Sequence, residues 1–294
     1  FIPIAWQKDH KGMQGTEYWT DNDTVTVDEG DEYERCAKIY SATEHFITEW
    51  LEARDLAIAQ SYELNRLGVT KQLCNRLLEP FMWHTVLLTG TEFENFFKLR
   101  CPEYHYKGRV FKSKKDMLKA NLGTFPTKLN DLEWIISSKS QAEIHIQALA
   151  EAMWDAINES NPKKLEAGEW HYPFYDNFID SFLKSNVNTL YQKDILKICT
   201  ARAARLSYMT FDNEIDYQKD IELHDRLLES KHLSCFEHCA RAMSDEEYHS
   251  FRKGKHEIEL MDNTENHFWF IEDDSGEEGW CNNFRGFITY RYLI

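Results

Sequence analysis

Residues 41–68 read SATEHFITEWLEARDLAIAQSYELNRLG, and this stretch decides the helical character of the fold. Its apolar side chains recur at the three- and four-residue spacing of an amphipathic helix. Ser41 and Glu44 have the spacing of a capping box, which satisfies the free backbone N–H groups at a helix start. Gly68 stands where many helices end in the left-handed conformation. The stretch therefore predicts one long helix between Ser41 and Gly68.

Working outward, the chain carries further helical patterns and fewer strand patterns. The spacing predicts helices over 70–78, 91–100, 140–157 (opened by a Ser140–Glu143 capping box) and 217–230, and a helix from Lys197 that becomes extended toward Tyr208. Residues 83–88 suit a strand or the start of a helix, and the alternating tail 284–294 suits a strand. Residues 1–40 lack periodicity and are expected to be extended or irregular. The predicted class is α+β with helices dominating.

Residues 101–139 differ in composition from their surroundings. They are rich in lysine between Lys107 and Lys119, and Gly123 and Pro126 interrupt them. We interpret them as an insertion loop with room for a short helix, inside one domain that spans 1–294.

Composition excludes some classes of function. The formal charge of −16 over 294 residues argues against a nucleic-acid binder, because phosphate backbones require clustered Lys and Arg. A single nucleotide needs only one or two well-placed arginines. Seven scattered cysteines are typical of reduced thiols, and no apolar run reaches the ~20 residues of a membrane span. We therefore expect a cytoplasmic protein with no membrane partner.

The densest group of reactive side chains is KHLSCFEHC, residues 231–239. Histidine and cysteine are zinc ligands, but this spacing fits no familiar ligand set. The segment also suits a helix start with partly buried side chains. A third interpretation is a cofactor site, in which Ser234 and backbone N–H groups meet an anionic group.

Two further groups are weaker on their own. Residues 200–208 (TARAARLSY) contain two arginines and a serine, which suit phosphate or carbonyl recognition or, alternatively, a solvated helix face with surface ion pairs. The polar residues Arg76, Thr89, Thr91, Asn95 and Arg100 suit either a binding site or ordinary helix polarity.

Together these groups resemble the flavin-dependent thymidylate synthases. Residues 203–208 (AARLSY) and 232–238 (HLSCFEH) resemble that family's A-A-R-V-S-Y and H-x-S-P-F-E-H segments, with Cys235 where proline is usual. Residues 68–80 resemble its G-V-x-x-x-x-A-R-x-x-L-P segment. Residues 95–100 (NFFKLR) and 141–144 (QAEI) resemble the helix and the A-Q-x-E-I run that follow it.

The order of these segments is rotated relative to most of the family, as in a bacteriophage subgroup. Gly12-Met13-Gln14 and the tail 283–291 resemble two further segments of that subgroup. The family's R-H-R-x(7)-S motif, or T-H-R-x-x-S in the subgroup, is absent. Since the first residue is Phe1 rather than Met, we expect that motif to lie upstream, so the catalytic residues remain unassigned.

The resemblance implies an α+β fold with a mixed or antiparallel sheet flanked by helices. It implies reductive methylation of dUMP to dTMP, with FAD as cofactor and NADPH and methylene-tetrahydrofolate as co-substrates. It implies a homotetramer with active sites shared between subunits, without metal, in the host cytoplasm if the gene is a phage gene. Two alternatives remain open: a dUMP hydroxymethylase on the same fold, and a non-catalytic descendant that is structural or binds a partner.

The resemblance also implies roles for individual residues. Those expected to contact FAD are Ser207, His232, Ser234, Glu237, Asn95, Arg100, Thr89 and Thr91, the last two standing where many relatives have Asn and Arg. Arg76 is expected to pair with the dUMP phosphate or a uracil carbonyl. Arg100 is expected to lie between nucleotide and flavin.

Overall fold

The computed structural model describes residues 1–9, 17–30, 36–120, 131–175, 191–206, 216–251 and 277–294. Within these ranges the chain is a mixed α+β protein with small antiparallel sheets, which confirms the predicted class. Contacts divide it into two compact units: Phe1–His84 with Glu94–Asn161, and Thr85–Phe93 with Pro162–Ile294. A single catalytic domain over 1–294 stays a prediction.

The first unit contains three hairpins and six helices among its described residues. In chain order its elements are β1 (Trp6–Gln7), β2 (Tyr18–Trp19), β3 (Thr24–Glu29), β4 (Cys36–Ser41), α1 (Ala42–Arg66), α2 (Lys71–Arg76), a 3-10 turn (Glu79–Phe81), α3 (Glu94–Arg100), β5 (Tyr104–Tyr106), β6 (Arg109–Phe111), α4 (Lys114–Lys119), α5 (Asp131–Ile136) and α6 (Ile144–Glu159). The strands pair in sequence: β1 with β2, β3 with β4, and β5 with β6.

The long predicted helix is confirmed as α1, but its predicted capping box is wrong. Ser41 is the N-cap residue, yet its side chain accepts no capping hydrogen bond. Ser41 is also the last residue of β4, and the N–H of Ala42 donates to the carbonyl oxygen of Asp23 at 2.9 Å. The hairpin therefore satisfies one of the free N–H groups of the first helical turn through its backbone. Gly68 has a φ of +89°, as expected just past a helix end.

The capping box predicted at the start of α6 is also wrong. The helix begins at Ile144, and its N-cap is Glu143. The Glu143 carboxylate accepts hydrogen bonds from the N–H groups of His145 (2.9 Å) and Ile146 (3.2 Å). A carboxylate at this position satisfies free N–H groups and complements the positive end of the helix. Ser140 lies outside the helix, where its hydroxyl accepts from the N–H of Ala142.

The described parts of 101–139, residues 101–120 and 131–139, contain more regular structure than the predicted loop. They contain the β5–β6 hairpin, α4 and α5, and Tyr104, Met117 and Trp134 form a buried cluster among them. Three other predictions need correction: α2 ends at Arg76 rather than at residue 78, α3 begins at Glu94 rather than at residue 91, and residues 83–88 form neither a strand nor a helix.

The second unit is built on a three-stranded sheet and two packed helices. Its elements are β7 (Trp170–His171), α7 (Tyr191–Arg205), α8 (Tyr217–Glu229), a 3-10 turn (Ser234–Glu237), β8 (Ala240–Ala242), α9 (Asp245–Ser250), β9 (Trp280–Cys281), β10 (Phe284–Arg285), β11 (Phe287–Thr289) and a second 3-10 turn (Tyr290–Leu293). The sheet order is β11-β8-β7, and β9 pairs with β10. The tail predicted as one strand is thus two short strands and a turn, because Gly286 turns the backbone at a φ of +79°.

The core of the second unit lies between α7, α8 and the start of β8. It contains Leu196, Ile198, Cys199, Tyr217 and Cys239. Cys239 occupies the position where the motif 232–239 runs into the central strand of the sheet. Core packing therefore fixes the end of that motif.

All seven cysteines lie in the described ranges and are free thiols. Cys36 is exposed and the other six are buried. Burial raises the pKa of Cys101 to about 11 and that of Cys239 to about 12. In the described ranges, no helix is both long enough and apolar enough to cross a bilayer.

Candidate functional site

A cavity of about 650 Å³ lies within the second unit. Its wall comes from four separate stretches of chain, within residues 87–91, 163–165, 171–174 and 284–287. The volume lies in the range of small-molecule sites, which are mostly apolar with a few well-placed polar groups. The three phenylalanines Phe174, Phe284 and Phe287 supply aromatic surface, and Thr89 and Thr91 supply hydroxyl groups.

Thr89 and Thr91 lie in a stretch without helix or strand, and polar contacts hold this stretch in place. The Thr89 hydroxyl shares a hydrogen bond of 2.9 Å with Nδ1 of His238. The Thr91 hydroxyl accepts from the N–H of Arg285 at 2.7 Å, and the backbone N–H of Thr91 donates to the Asn283 carbonyl at 3.3 Å. Two of the predicted cofactor residues are therefore tied to the 232–239 motif and to the tail.

Gly90, between the two threonines, is needed for this close approach. A Cβ at Gly90 would lie 3.3 Å from the Asn283 carbonyl oxygen, which is tighter than ordinary van der Waals contact. The absence of a side chain at residue 90 therefore lets the backbone run close against the β9–β10 turn without displacing it.

Within the motif 232–239, residues 234–237 form a 3-10 turn, and the side chains of the motif differ in exposure. Cys235 and Phe236 are buried, whereas His232 and Ser234 are exposed. The buried pair anchors the turn, so the side chains expected to contact FAD are those that face outward. This division could not be seen in the sequence, where a helix start was one of three interpretations.

Phe236 is held by a buried histidine and by the second 3-10 turn. Its ring lies 5.0 Å from the ring of His224 and 5.5 Å from that of Tyr290. Nδ1 of His224 contacts Asp225 at 2.8 Å, and Nε2 contacts the Tyr290 hydroxyl at 3.2 Å. Desolvation by burial lowers the pKa of His224, although Asp225 opposes this, so the neutral imidazole is favoured.

Glu237 and His238 follow the buried pair and are both engaged within the unit. The Glu237 carboxylate accepts from the Arg291 guanidinium of the tail. Burial lowers the pKa of His238, which favours a neutral ring beside Thr89. A FAD contact of Glu237 stays a prediction, and the Arg291 pair is a contact that the sequence did not indicate.

The arginines of α7 serve a buried carboxylate. Nη1 of Arg205 lies 2.8 Å from Oδ1 of Asp220, and Nε of Arg202 lies 3.7 Å from Oδ2. Burial raises the pKa of Asp220 and both arginines oppose the rise. A buried carboxylate requires such partners. The arginines therefore join α7 to α8 through a buried ion pair rather than forming a solvated face, and phosphate recognition by them stays a prediction.

The lysines of the cavity wall were missed in the sequence, as were His171 and Phe174. Lys163 lies 2.9 Å from Glu169, and Lys164 lies 4.0 Å from Glu166, so each positive charge is partly offset. These residues belong to a stretch in which the sequence indicated no helix or strand, since Pro162, Gly168 and Pro173 interrupt it. Its run of aromatic residues, WHYPFY at 170–175, was the available signal.

The remaining predicted site residues lie elsewhere. Arg76, Asn95 and Arg100 belong to the first unit and are exposed. Nη1 of Arg76 pairs with Oε1 of Glu79 at 3.2 Å. A site shared by these residues and the motif 232–239 stays a prediction. Ser207 and the Gly12-Met13-Gln14 segment lie outside the described residues.

In the described ranges, no three His, Cys, Asp or Glu side chains are arranged to hold a metal ion. No known family model, curated protein or solved structure matches this chain.

Proposed function

We propose that the chain is a flavin-dependent thymidylate synthase, which methylates dUMP to dTMP with methylene-tetrahydrofolate, FAD and NADPH. The sequence support is the set of motif resemblances at 68–100, 141–144 and 203–238. The class of reaction needs a flat cofactor ring in a dry, shaped site with few polar groups.

One observation carries the proposal. Two of the segments that the resemblance selected, the Thr89–Thr91 pair and the tail 283–291, line one cavity, and a third, the 232–239 motif, contacts its wall through the Thr89–His238 hydrogen bond. Their contacts span 149 residues between Thr89 and His238 and 194 residues between Thr91 and Arg285. Residues with a common ligand are expected to converge in this way, whereas unrelated surface residues are not.

The residues around the cavity fit a flavin. The phenylalanine side chains suit the faces of a flat ring, and the Thr89 and Thr91 hydroxyls suit its polar edge. When bound, FAD supplies hydride transfer, accepting a hydride from NADPH and delivering it to complete the methyl group. The chain's own contribution is to bind and orient the ring and to exclude water from it.

The test is a titration of the full chain with FAD, followed by the quenching of flavin fluorescence. The wild-type protein is expected to bind FAD. Thr89→Val and Thr91→Val are each expected to weaken binding about 3- to 10-fold, because each removes one hydrogen-bonding hydroxyl from the cavity wall.

Thr48→Val is the matched control, since Thr48 is an exposed threonine on α1 whose hydroxyl donates to the Glu44 carbonyl. It should leave FAD affinity unchanged. Mass analysis of the nucleotide formed from dUMP, methylene-tetrahydrofolate and NADPH identifies the reaction. A methyl product supports the synthase and a hydroxymethyl product supports the alternative. A wild-type chain that binds no flavin contradicts both.

A further inference from the structure

Phe174 has an unusual backbone conformation. Its φ is +60°, in the left-handed region that is unfavourable for a bulky side chain. Its ring lines the cavity, and the residue as a whole is 40% exposed. A ring that is this exposed gains only part of the stabilisation of a buried phenylalanine. Packing inside the protein therefore accounts for only part of the reason that a phenylalanine occupies this position.

The conformation is held by an arginine that is itself fixed. Nη1 of Arg202 donates to the Phe174 carbonyl at 2.8 Å. The Arg202 guanidinium also lies over the ring of Tyr217, 5.2 Å from its centroid, and beside the buried Asp220. Pro173, immediately before Phe174, is buried. Phe174 thus has a buried proline before it, and its carbonyl is held by a guanidinium that other contacts fix in place.

Strained residues of this kind cost about 1–3 kcal/mol and cluster at ligand-binding sites. Glycine or asparagine would adopt the same backbone at lower cost. A phenylalanine at this position keeps an aromatic side chain in the cavity wall, which glycine or asparagine would not.

We propose that Phe174 is a ligand-binding residue whose ring packs against the flat heteroaromatic ring of the ligand, and that Arg202 is the positioning residue that holds it there. The identity of that ring as a flavin rests on the proposed function. The roles of Phe174 and Arg202 rest on the cavity, the backbone conformation and the Arg202–Phe174 hydrogen bond.

The decisive variant is Phe174→Gly, because the two possible roles predict opposite effects on stability. If the ring serves the ligand, the variant loses about tenfold in FAD affinity while its melting temperature stays the same or rises, since the strain is removed. If the ring serves only the fold, the melting temperature falls. Phe174→Tyr keeps the ring and is expected to retain wild-type affinity.

Lys107→Gly is the matched control. Lys107 has a φ of +47° in the β5–β6 turn and does not line the cavity. It offers the same relief of backbone strain, so its melting temperature should also hold or rise, and its FAD affinity should equal that of the wild type.

Arg202→Lys tests the positioning role through non-additivity. Alone, it should weaken FAD binding in the same direction as Phe174→Gly, because lysine lacks the planar fork that reaches the carbonyl. In the Phe174→Gly background it should cause no further loss, because the ring that it positions is gone.

The outcomes separate the two proposals. Equal FAD affinity of wild type and Phe174→Gly, or a lower melting temperature of the variant, contradicts the role of Phe174 and leaves the synthase proposal standing. Additive losses in the double variant contradict the role of Arg202. A wild-type chain without flavin affinity contradicts the proposed function and this inference together.

Discussion

Gly279 and Gly286 share a backbone conformation but differ in what surrounds them. Both have positive φ, +82° and +79°, in the β9–β11 region. A Cβ at Gly279 would overlap the ring of Tyr248, whereas a Cβ at Gly286 would meet nothing within 4 Å. Any residue with a Cβ at position 279 would therefore have to displace the Tyr248 ring.

This comparison gives a prediction for stability. Gly279→Ala should destabilise the protein by about 3 kcal/mol or more, because it adds steric overlap to backbone strain. Gly286→Ala should cost only about 1 kcal/mol, from the left-handed backbone alone. Urea denaturation of both variants measures the difference, and equal losses would show that Tyr248 moves aside.

Arg76 is the residue whose predicted role is most directly measurable. Arg76→Ala should weaken dUMP binding by about 1.5–3 kcal/mol if the guanidinium meets the phosphate. Calorimetric titration with dUMP gives this value. Arg66→Ala is the control, because Arg66 is also exposed and pairs with a carboxylate three residues away, Glu63. Unchanged dUMP affinity in the Arg76 variant would reject the role.

At the scale of single residues, the sequence indicated some of the side chains at the cavity, but it did not indicate the hydrogen-bond and ion-pair partners of those it selected. Thr89 and Thr91 were identified through the resemblance, and the structure brings both to the cavity. Phe174 was missed because backbone strain leaves no mark in a sequence. The partners of Arg202 and Arg205 were missed because Asp220 lies on another helix, and burial alone distinguishes it from a surface aspartate.

Among the elements, α9 carries the most complete cap. The Ser244 hydroxyl accepts from the N–H of Glu247, and the Glu247 carboxylate accepts from the N–H of Ser244. Both guanidinium Nη atoms of Arg241 also contact this carboxylate, at 3.1 and 2.6 Å. These hydrogen bonds lower the pKa of Glu247 to about 2. The cap joins α9 to the neighbouring strand β8.

The cap has a predictable dependence on pH. Because the pKa of Glu247 is lower in the folded protein, its stabilising contribution is complete above pH 4.5 and is lost as pH falls toward 2. Glu247→Gln should cost about 1–2 kcal/mol at pH 7 and nearly nothing at pH 2. Denaturation at several pH values tests this, with the exposed neighbour Glu246→Gln as control. A difference that is constant with pH would contradict it.

The helices were predicted more successfully than the strands, for physical reasons. α1 and α8 are long enough for their spacing to be unmistakable, and both begin and end near the predicted residues. The strands have two to six residues, so alternation has little room to show. The predicted helix starts were wrong where a group other than the predicted capping residue satisfied the free backbone N–H groups, as the Glu143 carboxylate does at α6.

For the whole molecule, the sequence predicted the α+β class but not the division into two units. The predicted site residues are distributed over both units, with Arg76, Asn95 and Arg100 in the first and the cavity in the second. Residues 85–93 belong to the second unit, although the stretches on both sides of them belong to the first. A division that is not continuous along the chain cannot be recognised from the spacing of residues in the sequence.

The resemblance also predicts that the chain forms a homotetramer. On α1, Leu56 is 66% exposed and Leu67, at its end, is 64% exposed. Eleven residues separate them, so they lie on the same side of the helix. Exposed leucines on one side of a helix are candidates for a subunit contact if such a contact forms there. Light scattering should give the mass of four 34.9 kDa chains, and Leu56→Glu should lower it. A monomeric wild type would contradict the prediction.

The distribution of the thiols has a practical consequence. A maleimide dye reacts with thiolates that it can reach, and of the seven cysteines only Cys36 is at the surface. Under native conditions the dye should therefore attach once, at the start of β4, without any engineering of the chain. Intact-mass spectrometry would show one adduct, and further adducts would appear only as denaturant opens the core. The wild-type protein thus carries its own reporter of unfolding.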